Sequence, residues 1–431
     1  MRNRLGRAWL VIALTATLTT PALTAPAEAA AGRRIDYRQW ETAAQLAAGS
    51  FAGVRVERGM LRLSGPVGTR TYADPHGGPT KTYAYGRWTS PWATSDFAMT
   101  ELIASWDATT PRDSWIEVQV RGRSEDGQRS SWDTLARWSE GDTSFHRTSP
   151  RRQANGMAEV DDLAGVATDT WKSHNGVAFT SWQLRVTLLR RAGTSATPWV
   201  DTVGAVTSRL PNVSTVPTST TGITERIVLD VPRYSQMIHD GDYPKYDGGG
   251  EAWCSPTSTS MVLGYYDRLP SADEIAWVES PHPNRFVDHA ARMTYDYGYD
   301  GTGNWPFNTA YAANHADHAF VTRLRSLRQA EAFIKAGIPV VASVAFGKGE
   351  LAGVPPVLAN GTKGHLLVIV GFTASGDVVV NDPAAPRNRG VRRTYDRGEF
   401  ENAWLPGSGG LAYIIRTSDR QLPVQPRATN W

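Results

Sequence analysis

From residue 35 onward the chain alternates apolar and polar positions at a period of two, without helical spacing. Runs at residues 54–63, 98–106, 115–120 and 182–189 have the length of single strands. Turn-forming clusters separate them, among them Asp74-Pro75-His76-Gly77-Gly78 and Asp126-Gly127. Several short strands at close intervals predict an all-β sandwich-like domain over residues 32–210. The pattern then stops. Residues 211–225 hold Asn, Ser, Thr, Pro and Gly with no periodicity and read as a linker. An apolar strand over residues 226–231 opens a second region, 226–418, in which strands mix with helices, so an α+β domain is expected there. Residues 419–431 are expected to form a frayed tail. The break in pattern also predicts that the second region folds without the first.

One helix start stands out. Ser255 is a good cap, Pro256 suits a first helical position, and Met261, Val262 and Tyr265 fall on one face beyond them. The opening of the chain has a different pattern. Arg2, Arg4 and Arg7 precede an apolar run at residues 8–18, and Ala27-Glu28-Ala29 places small residues where a signal peptidase cuts. Residues 1–31 therefore read as a cleaved signal peptide, and the protein as secreted. No later stretch approaches the roughly 20 apolar residues of a membrane span.

Composition narrows the picture. With 41% hydrophobic and 20% charged residues, the chain can bury a core in each of two domains. The net charge of +3 falls to +1 once three Arg and Glu28 leave with the signal, which is no footprint for nucleic acid. Trp40, Trp88, Trp92, Trp106, Trp115, Trp132, Trp138, Trp171, Trp182 and Trp199 all fall in the β region. Aromatic rings favour strand cores, and the alternative is a sugar-stacking face that contacts glycans. A single cysteine, Cys254, excludes an internal disulfide, and a lone thiol outside the cell is an oxidation hazard. Cys254 is either a small buried hydrophobe or a nucleophile.

Its neighbourhood favours the nucleophile. The predicted helix puts Cys254 at an N-terminus, where the dipole favours thiolate over thiol, and Gly248-Gly249-Gly250 before it leaves room for a substrate. A thiolate nucleophile needs a base and a group to orient that base. His365 opens the apolar run Leu366-Leu367-Val368-Ile369-Val370, a buried strand that would hold the ring still. The next apolar run ends in Asn381-Asp382-Pro383, and antiparallel pairing would bring Asn381 or Asp382 to His365. Gln236, 18 positions before Cys254, offers a side-chain amide to a developing oxyanion.

The order Val231-Pro232 then Gln236, Trp253-Cys254 then Pro256, Gly364-His365, and Asn381-Asp382-Pro383 resembles the bacteriocin-processing peptidase-like family over residues 228–416. The resemblance implies a papain-like cysteine peptidase fold, with Cys254 as nucleophile, His365 as base, Asp382 as orienter and Gln236 as oxyanion donor. It also implies a peptide or protein substrate. Two features depart from the family's pattern: Ser255 stands where Gly is usual, and the stretch from Gln236 to Cys254 is long. The same catalytic apparatus would serve an amidase or transferase on cell-wall peptides, and the same fold could bind without turnover. His315 and His318 have a metal-ligand spacing but no evident third ligand, so no metal is expected. No phosphate-binding or dinucleotide motif is present, and no cofactor is expected.

Overall fold

The computed structural model describes residues 32–150, 163–425 and 429–431; the expected signal segment at 1–31 lies outside the described residues. The alternating pattern builds two antiparallel sheets. In the first, Ala164–Ala167, Thr170–Ser173, Glu101–Thr109, Trp199–Arg209, Met60–Leu63 and Val54–Glu57 are successive neighbours, and Arg34–Trp40 also pairs with Trp199–Arg209. In the second the order is Asp133–Trp138, Ser114–Ser124, Phe179–Arg191, Lys81–Thr89 and Ser50–Ala52. Gly68–Tyr72 and Ala93–Met99 add to that sheet. The run at 54–63 is thus two strands, folded back through Arg58 and Gly59, whose φ angles of 53° and 84° suit a two-residue hairpin turn. The run at 98–106 is likewise divided, because the chain crosses from the second sheet to the first at Thr100.

The inner faces meet through tryptophan. Trp40 of the first sheet lies edge-on to Trp88 and Trp182 of the second, with ring centres 5.7 Å apart in both pairs. Trp106, Trp115, Trp138 and Trp171 are buried as well. Each such ring withdraws roughly 150–250 Å² from water, so strand cores hold them. Trp92, Trp132 and Trp199 are half-buried instead, and Arg123, Arg185 and Arg62 lie over their respective faces.

The second region is mixed α/β. A third antiparallel sheet runs His318–Arg323, Leu411–Arg416, Val340–Gly347, Gly361–Phe372, Val378–Asn381 and Arg392–Tyr395. The strand expected over 226–231 shortens to Ile227–Val228, paired with Gly361–Phe372. The helices Cys254–Tyr265, Phe286–Thr294, Trp305–His315, Leu327–Lys335 and Arg397–Ser408 complete it. Among the described residues no helix is long and apolar enough to cross a membrane.

Three expectations about how the parts connect change. Within the expected linker 211–225, residues 216–222 are tied to the second region. Ser219 gives its N–H and hydroxyl to Glu401, both at 2.6 Å, while Thr221 and Gly222 donate to Glu331, both at 2.8 Å. A stretch without periodicity can still pair its hydroxyls and amides with buried carboxylates, and this one does. The second region is also not a separate body. Phe307 packs between Trp106 and Trp138, Tyr37 lies 4.7 Å from Phe320, and Val321 N–H donates to Ser105 Oγ at 2.8 Å. Arg147, fully buried, donates to the carbonyls of Ser139, Glu140 and Arg292, and Asp296 accepts from Ser149 N–H at 2.9 Å. One continuous apolar cluster therefore spans both regions. Finally, the segment expected to fray is held at its end: Asn430 is buried and donates to Arg323 O at 2.8 Å, and Trp431 packs on Phe333.

Candidate active site

Trp253 sets the position of Cys254. Its ring is fully buried, its indole N–H donates to Tyr246 O at 2.7 Å, and its carbonyl accepts from Thr257 N–H at 3.0 Å. The helix therefore begins at Cys254 with Trp253 as its cap, and Ser255 is not the capping residue the sequence predicts. Packing of a large ring overrides the capping preference of a hydroxyl. Ser255 is buried, with Oγ 3.0 Å from Tyr413 OH, so the side chain that replaces the usual Gly points into the core. Helix geometry leaves the first N–H groups, that of Cys254 among them, without an intrahelical acceptor. Gly250 is not free room for a substrate. A Cβ there would come within 2.4 Å of Gln236 O and His239 C, so its bare backbone lets the entry loop pack on the Gln236–His239 turn.

His365 and Asp382 meet as the strand pairing predicts. Val368 lies opposite Asn381, and His365 Nε2 is 2.8 Å from Asp382 Oδ1, both side chains buried. Asn381 takes no part: its amide donates to the carbonyls of Val231 and Pro232. With Nε2 committed, Nδ1 is the ring atom left to serve Cys254, whose sulfur is close enough to help raise the ring's pKa. Burial alone would lower the His365 pKa, but the Asp382 carboxylate, the bond to Asp382 and the Cys254 sulfur outweigh it and raise the pKa. Asp382 is the mirror case. Burial opposes its charge, yet His365, Tyr395 and the Ala384 N–H hold it below the ordinary carboxylate range. Tyr395 OH donates to Asp382 Oδ2 at 2.7 Å, and nothing in the sequence pattern pointed to it.

Gln236 joins the group from behind. It is buried, its backbone N–H donates to Pro383 O at 2.9 Å, and Nε2 donates to Glu251 O at 2.6 Å. One hydrogen of Nε2 is thereby fixed and the second remains. Cys254, His365 and Asp382 thus meet, while the contacts of Gln236 are with Pro383 and Glu251, each close in sequence to one of them. His315 and His318 do not pair: His315 clusters with Glu274 and His289, while His318 Nε2 lies 3.4 Å from Ser418 Oγ.

Cys254 opens on a cleft of about 420 Å³ lined by Ala252, Lys363, Gly364, Leu366 and Tyr299. Its other wall comes from the sandwich, where residues 167–170 and Lys172 belong to the hairpin of Ala164–Ala167 and Thr170–Ser173. Asp169 fixes that hairpin: its Oδ2 accepts from Trp305 N–H at 3.1 Å, and burial raises its pKa to about 6.

Opposite shifts at His365 and Asp382 make stability depend on pH in two windows. The ring's pKa is raised above 6.5, so its contribution is complete below about pH 6.5 and fades as pH climbs through the raised value. The carboxyl's pKa is lowered from 3.8, so its contribution is present above about pH 3.8 and is lost as pH falls. The melting-temperature gap between wild type and His365→Asn is expected to be widest from about pH 4 to 6.5 and to narrow on either side. A gap that widens steadily above pH 8 contradicts the assignment.

Comparison with known proteins covers both regions. Residues 36–208 match the family model "Peptidase C39 N-terminal domain", and residues 228–410 match "Peptidase_C39 like family". Together these matches support a C39-type cysteine peptidase. Among solved structures, a C39-like peptidase from Bacillus anthracis aligns at 19% identity and a TM-score of 0.29, covering 45% of this chain and 100% of its own. A structure of infectious bursal disease virus, Gt strain, aligns at 15% identity and a TM-score of 0.19, covering 45% of this chain and 36% of its own. No curated protein matches.

Proposed function

We propose that this chain is a secreted cysteine peptidase with a papain-like catalytic region, cleaving peptide bonds with Cys254, His365, Asp382 and Gln236. The observation that carries the reading is a buried line of contacts, Tyr395 to Asp382 to His365 to Cys254, ending at a sulfur that faces a cleft. In the first half-reaction the Cys254 thiolate attacks the peptide carbonyl carbon. Charge gathers on the carbonyl oxygen, where the free N–H of Gln236 Nε2 and the backbone N–H of Cys254 can receive it. The His365 imidazolium gives its Nδ1 proton to the leaving nitrogen, the C–N bond breaks, and an acyl thioester remains. His365, now neutral, takes a proton from water; hydroxide adds to the thioester, and collapse releases the acid and the thiolate. Asp382 keeps the ring oriented and favours its charged form, and Tyr395 holds Asp382.

Glycan contact by the sandwich, if it occurs, would fall to Trp92, Trp132 and Trp199, the three half-buried rings. Their Arg-covered faces leave the protein substrate as the better-supported partner. The test is to incubate the full chain with an unstructured protein and, separately, with a cell-wall peptide, and to read the products by mass spectrometry. Hydrolysis of the protein at internal peptide bonds is expected. Products from the cell-wall peptide alone would favour the amidase or transferase reading. No product from either, with Cys254 reacting with a thiol-directed label no faster than free cysteine, would leave a binding module.

A further inference from the structure

Three side chains that the cysteine chemistry does not use converge just behind it. His239 closes the short turn Gln236–His239 and is fully buried. Asp288 lies in the first turn of the Phe286–Thr294 helix and is equally buried. Asp242 follows His239 by three positions, with its side chain 16% exposed. His239 Nδ1 is 3.1 Å from Asp288 Oδ2 and 3.6 Å from Asp242 Oδ2, and one ligand atom from each of the three residues lies within 4.8 Å of the others.

The 3.1 Å contact is close but not aligned as a hydrogen bond. Both ring nitrogens of His239 and both oxygens of Asp288 lack a hydrogen-bond partner among the described residues. Neither carboxylate has an Arg or Lys in ion-pair reach among those residues; Asp242 accepts only from Ser280 Oγ, at 2.7 Å. Buried polar groups are ordinarily paired. Close approach without mutual alignment arises when donor atoms aim at a common third point. In a tetrahedral site with bonds of roughly 2.0–2.1 Å, ligand atoms sit about 3.3 Å apart. The observed 3.1 and 3.6 Å fall on either side of that spacing.

The donor set also fits in charge and type. A neutral imidazole with two carboxylates carries two negative charges, which one divalent cation neutralises. One nitrogen and two oxygens suit zinc, whereas calcium takes six to eight oxygens. We propose that His239, Asp242 and Asp288 bind one zinc-class divalent cation, with water completing the coordination, as a structural site bracing the turn that carries Gln236. His239 sits at the far end of that turn from Gln236, and its ring lies 6.3 Å from that of Trp253, the residue before Cys254. A bound ion would tie the turn and the Cys254 entry loop to the Phe286–Thr294 helix. The other candidate group, Glu274, His289 and His315, is less suited. Trp277 Nε1 already donates to His289 Nδ1 at 3.3 Å, and Glu274 accepts from Ser271.

Binding does not depend on the peptidase reading, and its test is independent of activity. The full chain carrying Cys254→Ser, so that the sulfur cannot compete, is stripped with a chelator. It is then titrated with Zn²⁺ by calorimetry and followed by thermal melting. One ion per chain and a raised melting temperature are expected. Asp242→Asn, at the least buried ligand, should weaken binding at least tenfold with the circular dichroism spectrum unchanged. His239→Ala should abolish binding, and His315→Ala should leave it intact. No binding to the stripped Cys254→Ser protein, unchanged affinity in Asp242→Asn, or loss in His315→Ala would each overturn the proposal.

Discussion

Replacing Cys254 with alanine should abolish turnover, lowering the rate on an unstructured peptide by roughly 10⁴-fold or more. It removes the single sulfur nucleophile of the chain. His365→Ala should cost nearly as much, because the same ring stabilises the attacking sulfur and protonates the leaving nitrogen. Asp382→Ala should cost less, by one to two orders of magnitude as a rough expectation, since it only orients and charges the ring. That variant also strands Tyr395 OH and the Ala384 N–H, so its folding must be checked beside its rate. The double change His365→Ala with Asp382→Ala should be no slower than His365→Ala alone. Steady-state rates for these four variants decide the matter. Wild-type activity in Cys254→Ala removes the assignment. Losses that multiply across His365 and Asp382 mean that the two do not serve one step.

The second large effect is on folding. Residues 225–431 expressed alone should be insoluble or unfolded, contrary to what the change of pattern at residue 210 suggests. Removal of the sandwich uncovers Phe307 and Phe320 and strips Ser149 from the buried carboxylate of Asp296. It takes Glu101 from Arg323 and bares His318–Arg323, a strand at the edge of its sheet. An uncovered edge with apolar neighbours is an aggregation site. Soluble protein of this length with a cooperative melt would mean that the seam contributes little.

These two cases differ in how far sequence could carry them. Cys254, His365 and Asp382 stood out because Cys254 opens a helix, His365 opens the buried apolar part of the strand Gly361–Phe372, and Asp382 follows the last residue of the next strand; such junctions show in the pattern of apolar positions. The choice of Asp382 over Asn381 was not readable from spacing. Asn381 is the last residue of its strand and faces the Val231 and Pro232 carbonyls, whereas Asp382 lies one step beyond, where the backbone turns. The start of the Cys254 helix was misplaced by two positions because the fit of Trp253 in its pocket is a tertiary fact. Tyr395 was invisible for the same reason: it reaches Asp382 by closing a hairpin 13 residues on. In the sandwich the strands were readable and their division was less so. The packing of the regions left no trace in composition, since Glu331 and Glu401 do not announce that they will hold residues 219–222.

The hairpin of residues 164–173 reaches the cleft from a part of the chain that supplies none of the reacting groups. On the proposed peptidase reading, the reacting groups and part of the surface a substrate would meet therefore come from separate stretches of the chain. Exchanging the loop around Thr168 between relatives would shift which chain is cut while Cys254 and its partners stay as they are.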